Sequence, residues 1–235
     1  MRYPLRGGDI IKLNVAHVDL GGCEGCSVAL LRAMIKMQDT CNFKDKMIAR
    51  DDFKVEKEDL IIVSGAICLN DTEKVELLKS LRENGSVLVA FGSCAAVGGI
   101  TRYCRGGQQP KPEHMTFQPI NVVVDVDYAI PGCPPSPRML KPFIDAFVSK
   151  KQSNFIQIFK AVAKVRKLSG FDLIDDVILQ NICVGCGACV LSCPNGALQM
   201  IGGKPDLIVE KCIRCGTCYV RCPRASQLVI RRYLK

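Results

Sequence analysis

Apolar and β-branched residues run in near-continuous blocks through the first half of the chain, at 12–20, 60–67, 87–91 and 121–130. Blocks that lack polar alternation predict strands buried on both faces. Between the second and third, the segment 72–83 carries Val75, Leu77, Leu78 and Leu81 at helical spacing, and Asp71 stands where an N-cap belongs. The segment 136–148 predicts a closing helix with Ser136 as N-cap and Pro137 at the first position, where the missing N–H of proline costs nothing. A weaker strand is expected at 46–49. Strands alternating with helices predict an α/β class: a doubly wound domain on a parallel sheet over 1–150. A charged, partly helical connector follows at 151–180, and a small α+β domain with a basic tail at 181–235.

Cysteine spacing sets the chemistry of that small domain. One run reads Cys183-x-x-Cys186-x-x-Cys189-x-x-x-Cys193-Pro194, and the second reads Cys212-x-x-Cys215-x-x-Cys218-x-x-x-Cys222-Pro223. This is the bacterial-type ferredoxin spacing for two [4Fe-4S] clusters, in which the fourth cysteine of each run ligates the other cluster. Cys183, Cys186, Cys189 and Cys222 are expected to hold one cluster, and Cys212, Cys215, Cys218 and Cys193 the second. Two structural zinc sites would need only paired C-x-x-C units. They would leave the third cysteine and the Cys-Pro of each run without a role.

The first domain carries four more cysteines at expected strand ends, where ligands gather in open parallel sheets. Cys23 and Cys26 lie in Gly22-Cys23-Glu24-Gly25-Cys26, Cys94 in Gly92-Ser93-Cys94, and Cys133 in Pro131-Gly132-Cys133-Pro134-Pro135. Each has a glycine within two residues, which lets the backbone approach a bulky inorganic core. The C-x-x-C unit alone would suit a thioredoxin-like redox pair. Two further cysteines at strand ends favour a third, proximal [4Fe-4S] site.

Composition narrows the function. Hydrophobic residues make up 48% of the 235 positions, enough for a core in the larger domain. Aromatic residues are only 6%, with no Trp, which argues against stacking platforms for nucleic acid. The formal charge of +9 counts every cysteine as neutral. Three clusters at about −2 each bring it to about +3, so no nucleic-acid partner is expected. No apolar run is long enough to span a bilayer. Reduced thiolates and the lack of a signal core in the first fifteen residues lead to the expectation of a cytoplasmic protein.

At these residues the chain resembles the small, electron-transferring subunits of [NiFe] hydrogenases, whose flavodoxin-like domain holds a proximal cluster with C-x-G-C, G-[ST]-C and P-G-C-P-P elements. The stretches FGSCAAVGGITRYCRGGQQP (91–110), DVDYAIPGCPPSP (125–137) and KCIRCGTCYVRCPR (211–224) resemble the gamma subunits of coenzyme F420-reducing hydrogenases of methanogenic archaea. The resemblance implies a hetero-oligomer with a Ni–Fe large subunit and an FAD-containing subunit that reduces coenzyme F420. It implies electron transfer from the first through the proximal cluster and the ferredoxin pair to the second, with no catalytic residue on this chain. The small subunit of respiratory complex I shares two of the motifs but has adjacent cysteines in place of C-x-x-C and no fused ferredoxin domain. Family members usually carry an acidic residue at the position of Ser64, where the large-subunit interface is expected. Its replacement leaves open a module that has lost H2 chemistry. The sequence is also compatible with a hydrogenase serving another acceptor and with a free polyferredoxin-type carrier.

The remaining residues read more plainly. Cys41 and Cys68 are expected as small buried hydrophobes, and Cys104 as a residue packing near the proximal cluster. His17 reads as a core or sheet-end histidine, and His114 as an exposed or interface residue in a Pro-rich loop. Neither lies near the C-terminal cysteines, as a Ni–Fe centre on this chain would require.

Overall fold

The computed structural model describes residues 12–45, 57–104, 106, 109–150, 153–166 and 168–234. The chain opens with β1 (Leu13–Asp19), α1 (Gly25–Met34), β2 (Cys41–Asp45), β3 (Leu60–Ser64) and the short β4 (Ile67–Cys68). There follow α2 (Thr72–Asn84), β5 (Leu88–Phe91), α3 (Ser93–Val97), α4 (Gly99–Tyr103), the short β6 (Phe117–Gln118), β7 (Tyr128–Ile130) and α5 (Pro137–Val148). Strands β1, β2, β3, β5 and β7 form one parallel sheet in the order β2-β1-β3-β5-β7. Chain direction across the sheet reverses between β1 and β3, and the carboxyl ends of these strands open the crevice where such folds place their ligands.

Burial explains the apolar blocks. Val15, Ala16, Val18, Leu60, Ile61, Ile62, Val63, Leu88, Val89, Ala90 and Phe91 are all buried, on both faces of the sheet. Helix α2 begins at its expected cap, with the Asp71 carboxylate accepting from Lys74 N at 3.1 Å. Ser136 precedes α5 without a capping bond from its side chain, so Pro137 alone marks that start.

One strand expectation is corrected. Only Tyr128–Ile130 of the block 121–130 is strand; the earlier part turns through Ile120–Val122 as a 3-10 helix. The apolar residues there pack against the core without joining the sheet. The edge strand β2 was not foreseen; the strand expected at 46–49 lies outside the described residues.

The connector supplies core. Helix α6 (Asn154–Val162) buries Ile156, Ile158, Phe159, Ala161 and Val162, and Phe159 meets Phe143 of α5 edge to face at 6.0 Å. Helix α7 (Gly170–Leu173) runs into a π-helical stretch at Ile174–Ile178.

The last region repeats itself. A cysteine loop leads into α8 (Ala188–Leu191), and the antiparallel hairpin of β8 (Leu198–Ile201) and β9 (Lys204–Leu207) follows. A second cysteine loop leads into α9 (Thr217–Arg221) and then α10 (Pro223–Tyr233). Gly187 and Gly216, both at φ 72°, start α8 and α9 from the same left-handed conformation. Helix α10 packs on α6, and the Lys164 ammonium donates to the Tyr233 carbonyl at 3.1 Å. No helix among the described residues is long and apolar enough to cross a membrane.

Candidate iron–sulfur centres

At the carboxyl end of the sheet the loops after β1, β3, β5 and β7 enclose a cleft of about 480 Å³. Cys23, Cys26, Cys94 and Cys133 line it, so the structure brings all four first-domain candidates together. The loops are tied to one another through the backbone. Leu20 N donates to Ser64 O at 2.9 Å, Ala66 N to Gly21 O at 3.1 Å, and Ser93 N to Gly132 O at 2.8 Å. Gly92, at φ 91°, shows why glycine precedes Ser93: a Cβ there would lie 2.3 Å from Cys26 Sγ.

Burial is the main cause that pushes the Cys26, Cys94 and Cys133 thiols up, Cys133 to about 11, with neighbouring thiols adding to the effect at all three. The Thr101 hydroxyl, 3.0 Å from Cys94 Sγ, acts in the opposite sense on that thiol. Four thiolates cannot share such a space without cations between them. Four thiols gathered around one cavity, with the Asp19 carboxylate on its wall, suit an iron–sulfur core, whose irons supply that positive charge.

The ferredoxin-type cysteines sort in the same way. Cys183, Cys186, Cys189 and Cys222 line one cavity, beside Leu173, Val177 and Pro223. Cys193, Cys212, Cys215 and Cys218 line another, beside Gly170, Leu198 and Arg214. Cys193 and Cys222 therefore each stand on the cavity of the opposite run. The twelve candidates fall into the three expected groups, with Cys68 beside the first. Among the described residues, no three His, Cys, Asp or Glu side chains converge as a single-ion site.

A buried seam joins the cleft to the second of these cavities. Ser93 Oγ donates to the Cys215 carbonyl at 2.6 Å and accepts from Gly132 N at 2.9 Å. Gly106 N donates to the Cys212 carbonyl at 2.8 Å. Ser93 was not singled out from the sequence, although its place between Gly92 and Cys94 is a usable signal: a hydroxyl there lies within reach of whatever packs on the cluster loop.

Several single residues stand differently from expectation. Ser64 is fully buried within this chain. Its hydroxyl lies 2.9 Å from His17 Nε2 and donates to Asp19 Oδ2, and His17 Nδ1 lies 2.8 Å from Asp45 Oδ2. Asp19 lines the cleft, so this line of contacts runs from β2 to its wall. His17 is the core histidine expected. Cys41 is buried, whereas Cys68 lines the cleft as a fifth cysteine. Cys104 is not among the cleft-lining residues; its Sγ lies 3.2 Å from His114 Nδ1.

Comparison with known proteins agrees with this architecture. Residues 23–147 match the family model described as NADH ubiquinone oxidoreductase, 20 Kd subunit, and residues 175–223 match the 4Fe-4S dicluster domain. The coenzyme F420 hydrogenase subunit gamma of Methanosarcina barkeri is 38% identical over 83% of this chain and 80% of its own length. The corresponding subunit of Methanococcus voltae is 34% identical over 83% of this chain and 88% of its own length. Among solved structures, a chain of an NAD+-reducing [NiFe]-hydrogenase in the H2-reduced state aligns with 60% of this chain and 94% of its own, at 24% identity and TM-score 0.49. The chain belongs to the iron–sulfur small-subunit family of hydrogenases and the complex I 20 kDa subunit, as a homologue of coenzyme F420 hydrogenase gamma subunits.

Proposed function

We propose that this chain is the electron relay of a coenzyme F420-reducing [NiFe] hydrogenase. It takes electrons from a Ni–Fe large subunit and delivers them to a flavin-containing subunit. The observation that carries this reading is the gathering of the twelve candidate cysteines at three cavities, with Cys68 a fifth at the first and with Cys193 and Cys222 exchanged between runs. A [4Fe-4S] cluster supplies reversible one-electron chemistry, and its four thiolates carry no proton when ligated. Cys23, Cys26, Cys94 and Cys133 hold the proximal cluster, the set of Cys193, Cys212, Cys215 and Cys218 the middle one, and the set of Cys183, Cys186, Cys189 and Cys222 the outer one.

The entry and exit follow from what is exposed. Cys23 is exposed at the cleft, with apolar Ile100 on its wall and Leu69 next to the lining residue Cys68. That face meets the large subunit. At the outer cavity Cys186 is exposed, and Val184 and Leu191 present apolar side chains to solvent. That face meets the flavin subunit. A flavin is required there because coenzyme F420, like a nicotinamide, accepts a hydride whereas clusters pass single electrons. This chain's residues bind, space and insulate the centres.

Acid-labile sulfide in the anaerobically purified complex should approach about twelve per copy of this chain, and iron about thirteen once the iron of the Ni–Fe centre is included. Cys94→Ala should stop H2-dependent reduction of F420 while dithionite still reduces the ferredoxin pair. Intact F420 turnover in that variant would sink the proposed route. H2-driven viologen reduction by the wild-type complex with no F420 turnover would reassign the acceptor and leave the relay standing.

A further inference from the structure

Arg214 stands between Cys212 and Cys215, and its side chain is among the largest that the chain buries completely, at 1% exposure. Its guanidinium lies between two rings, 4.7 Å from the Tyr103 centroid and 4.6 Å from that of Phe171. Tyr103 ends α4 of the first domain, and Phe171 belongs to α7. Arg214 also lines the cavity of Cys193, Cys212, Cys215 and Cys218. The flanking carbonyls are those gripped across the seam, Cys212 by Gly106 and Cys215 by Ser93. A positive charge is thus fixed inside the molecule, at the junction of the proximal cleft and the middle cavity.

A guanidinium keeps its proton under physiological conditions even where burial works against it. Here burial lowers its affinity for the proton, and the Asp172 carboxylate and the Cys212 thiol oppose that effect. A cation in this place has a defined effect on the contents of the cavity. Four thiolates around a [4Fe-4S] core carry about −2 when oxidised and about −3 when reduced. A neighbouring positive charge in a poorly screened interior favours the more negative state. A purely structural role, stacking that pins α4 to the cysteine loop, would leave the potential alone.

We propose that Arg214 sets the reduction potential of the middle cluster, holding it above the value its four thiolates would give. The middle site then serves as the resting place of the electron between the large-subunit and flavin-subunit faces. This rests on the cluster assignment above, and the test separates the two. Asp172 enters with the opposite sign, because its carboxylate disfavours the added electron.

The test is a redox titration of the whole complex, following each reduced cluster by its electron paramagnetic resonance signal, with iron and sulfide measured on the same samples. Arg214→Met removes the charge and keeps apolar bulk. It should lower one midpoint by at least tenfold in the one-electron equilibrium constant, about 59 mV, and leave the other two in place. Arg214→Lys should stay closer to wild type, and Asp172→Asn should move the same signal upward. Unmoved midpoints in Arg214→Met with full iron content would overturn the proposal. Should Arg214→Met fail to assemble, an Asp172→Asn midpoint that does not rise would overturn it equally. A wild-type complex with acid-labile sulfide at about eight per copy of this chain would instead refute the three-cluster assignment.

Discussion

His17, Asp19, Asp45 and Ser64 come together because three strands align in one register. His17 lies opposite Asp45 on one side, and Asp19 lies opposite Ser64 on the other. None of this is legible along the chain, where these residues are scattered over three segments and strand pairing is the missing information. The cysteines are different: each set of three is local, so spacing alone places the sulfurs around one loop. Only the fourth of each set depends on tertiary structure, and there the crossing rule supplied it. Cys41 offers a residue-scale test. Burial pushes its thiol above the ordinary value of 9.0. Below pH 9 the thiol is protonated in both folded and unfolded chains and adds no pH dependence. Above it the unfolded chain releases the proton first and binds fewer protons than the fold, so stability falls with rising pH. Denaturation of the cluster-loaded protein should show any advantage of wild type over Cys41→Ala shrinking as pH climbs past 9.0. A constant difference from pH 8 to pH 10 would contradict this.

At the scale of elements, helix starts were more legible than strand ends. Asp71 identified α2 because capping is a short-range hydrogen bond between residues three apart. The block 121–130 misled because β-branched residues fill a buried turn as readily as a strand, and only pairing partners tell the two apart. Strand β2 was missed because Cys41–Asp45 is a short edge segment with two exposed polar positions, Asn42 and Lys44. Two substitutions separate the element that carries the cleft from one that does not. Asp71→Ala should cost about 1 kcal/mol in a denaturation experiment and leave iron content unchanged. Gly92→Ala, at the end of β5, forces a methyl group onto Cys26 Sγ in a backbone conformation that alanine resists. Acid-labile sulfide in that variant should fall toward about eight per copy of this chain, with the ferredoxin signals retained. A full complement of iron in Gly92→Ala would show that the cleft yields more easily than its packing implies.

At the scale of the molecule, the two regions meet through a contact that is polar, buried and adjacent to ligand candidates. Ser93 alone bonds both the Cys215 carbonyl and the Gly132 amide. Ser93→Ala strands a buried donor and a buried acceptor at once, a loss of about 1–3 kcal/mol. Denaturation should register that loss, and rapid-freeze measurements of the complex should find slower transfer from the proximal to the middle cluster. Unchanged transfer would mean that spacing at the seam does not depend on this hydroxyl. The exchange of Cys193 and Cys222 between runs has a consequence of another kind, in chain entropy. With clusters bound as proposed, each is a four-armed cross-link, and its arms close loops that enclose the β8–β9 hairpin. Such closures restrict the unfolded chain as disulfides do, and more strongly for the wider loop. A region of two short strands and short helices thereby gains order that its own small core could not supply, and because both closures share the hairpin, opening either one loosens the chain that the other must hold.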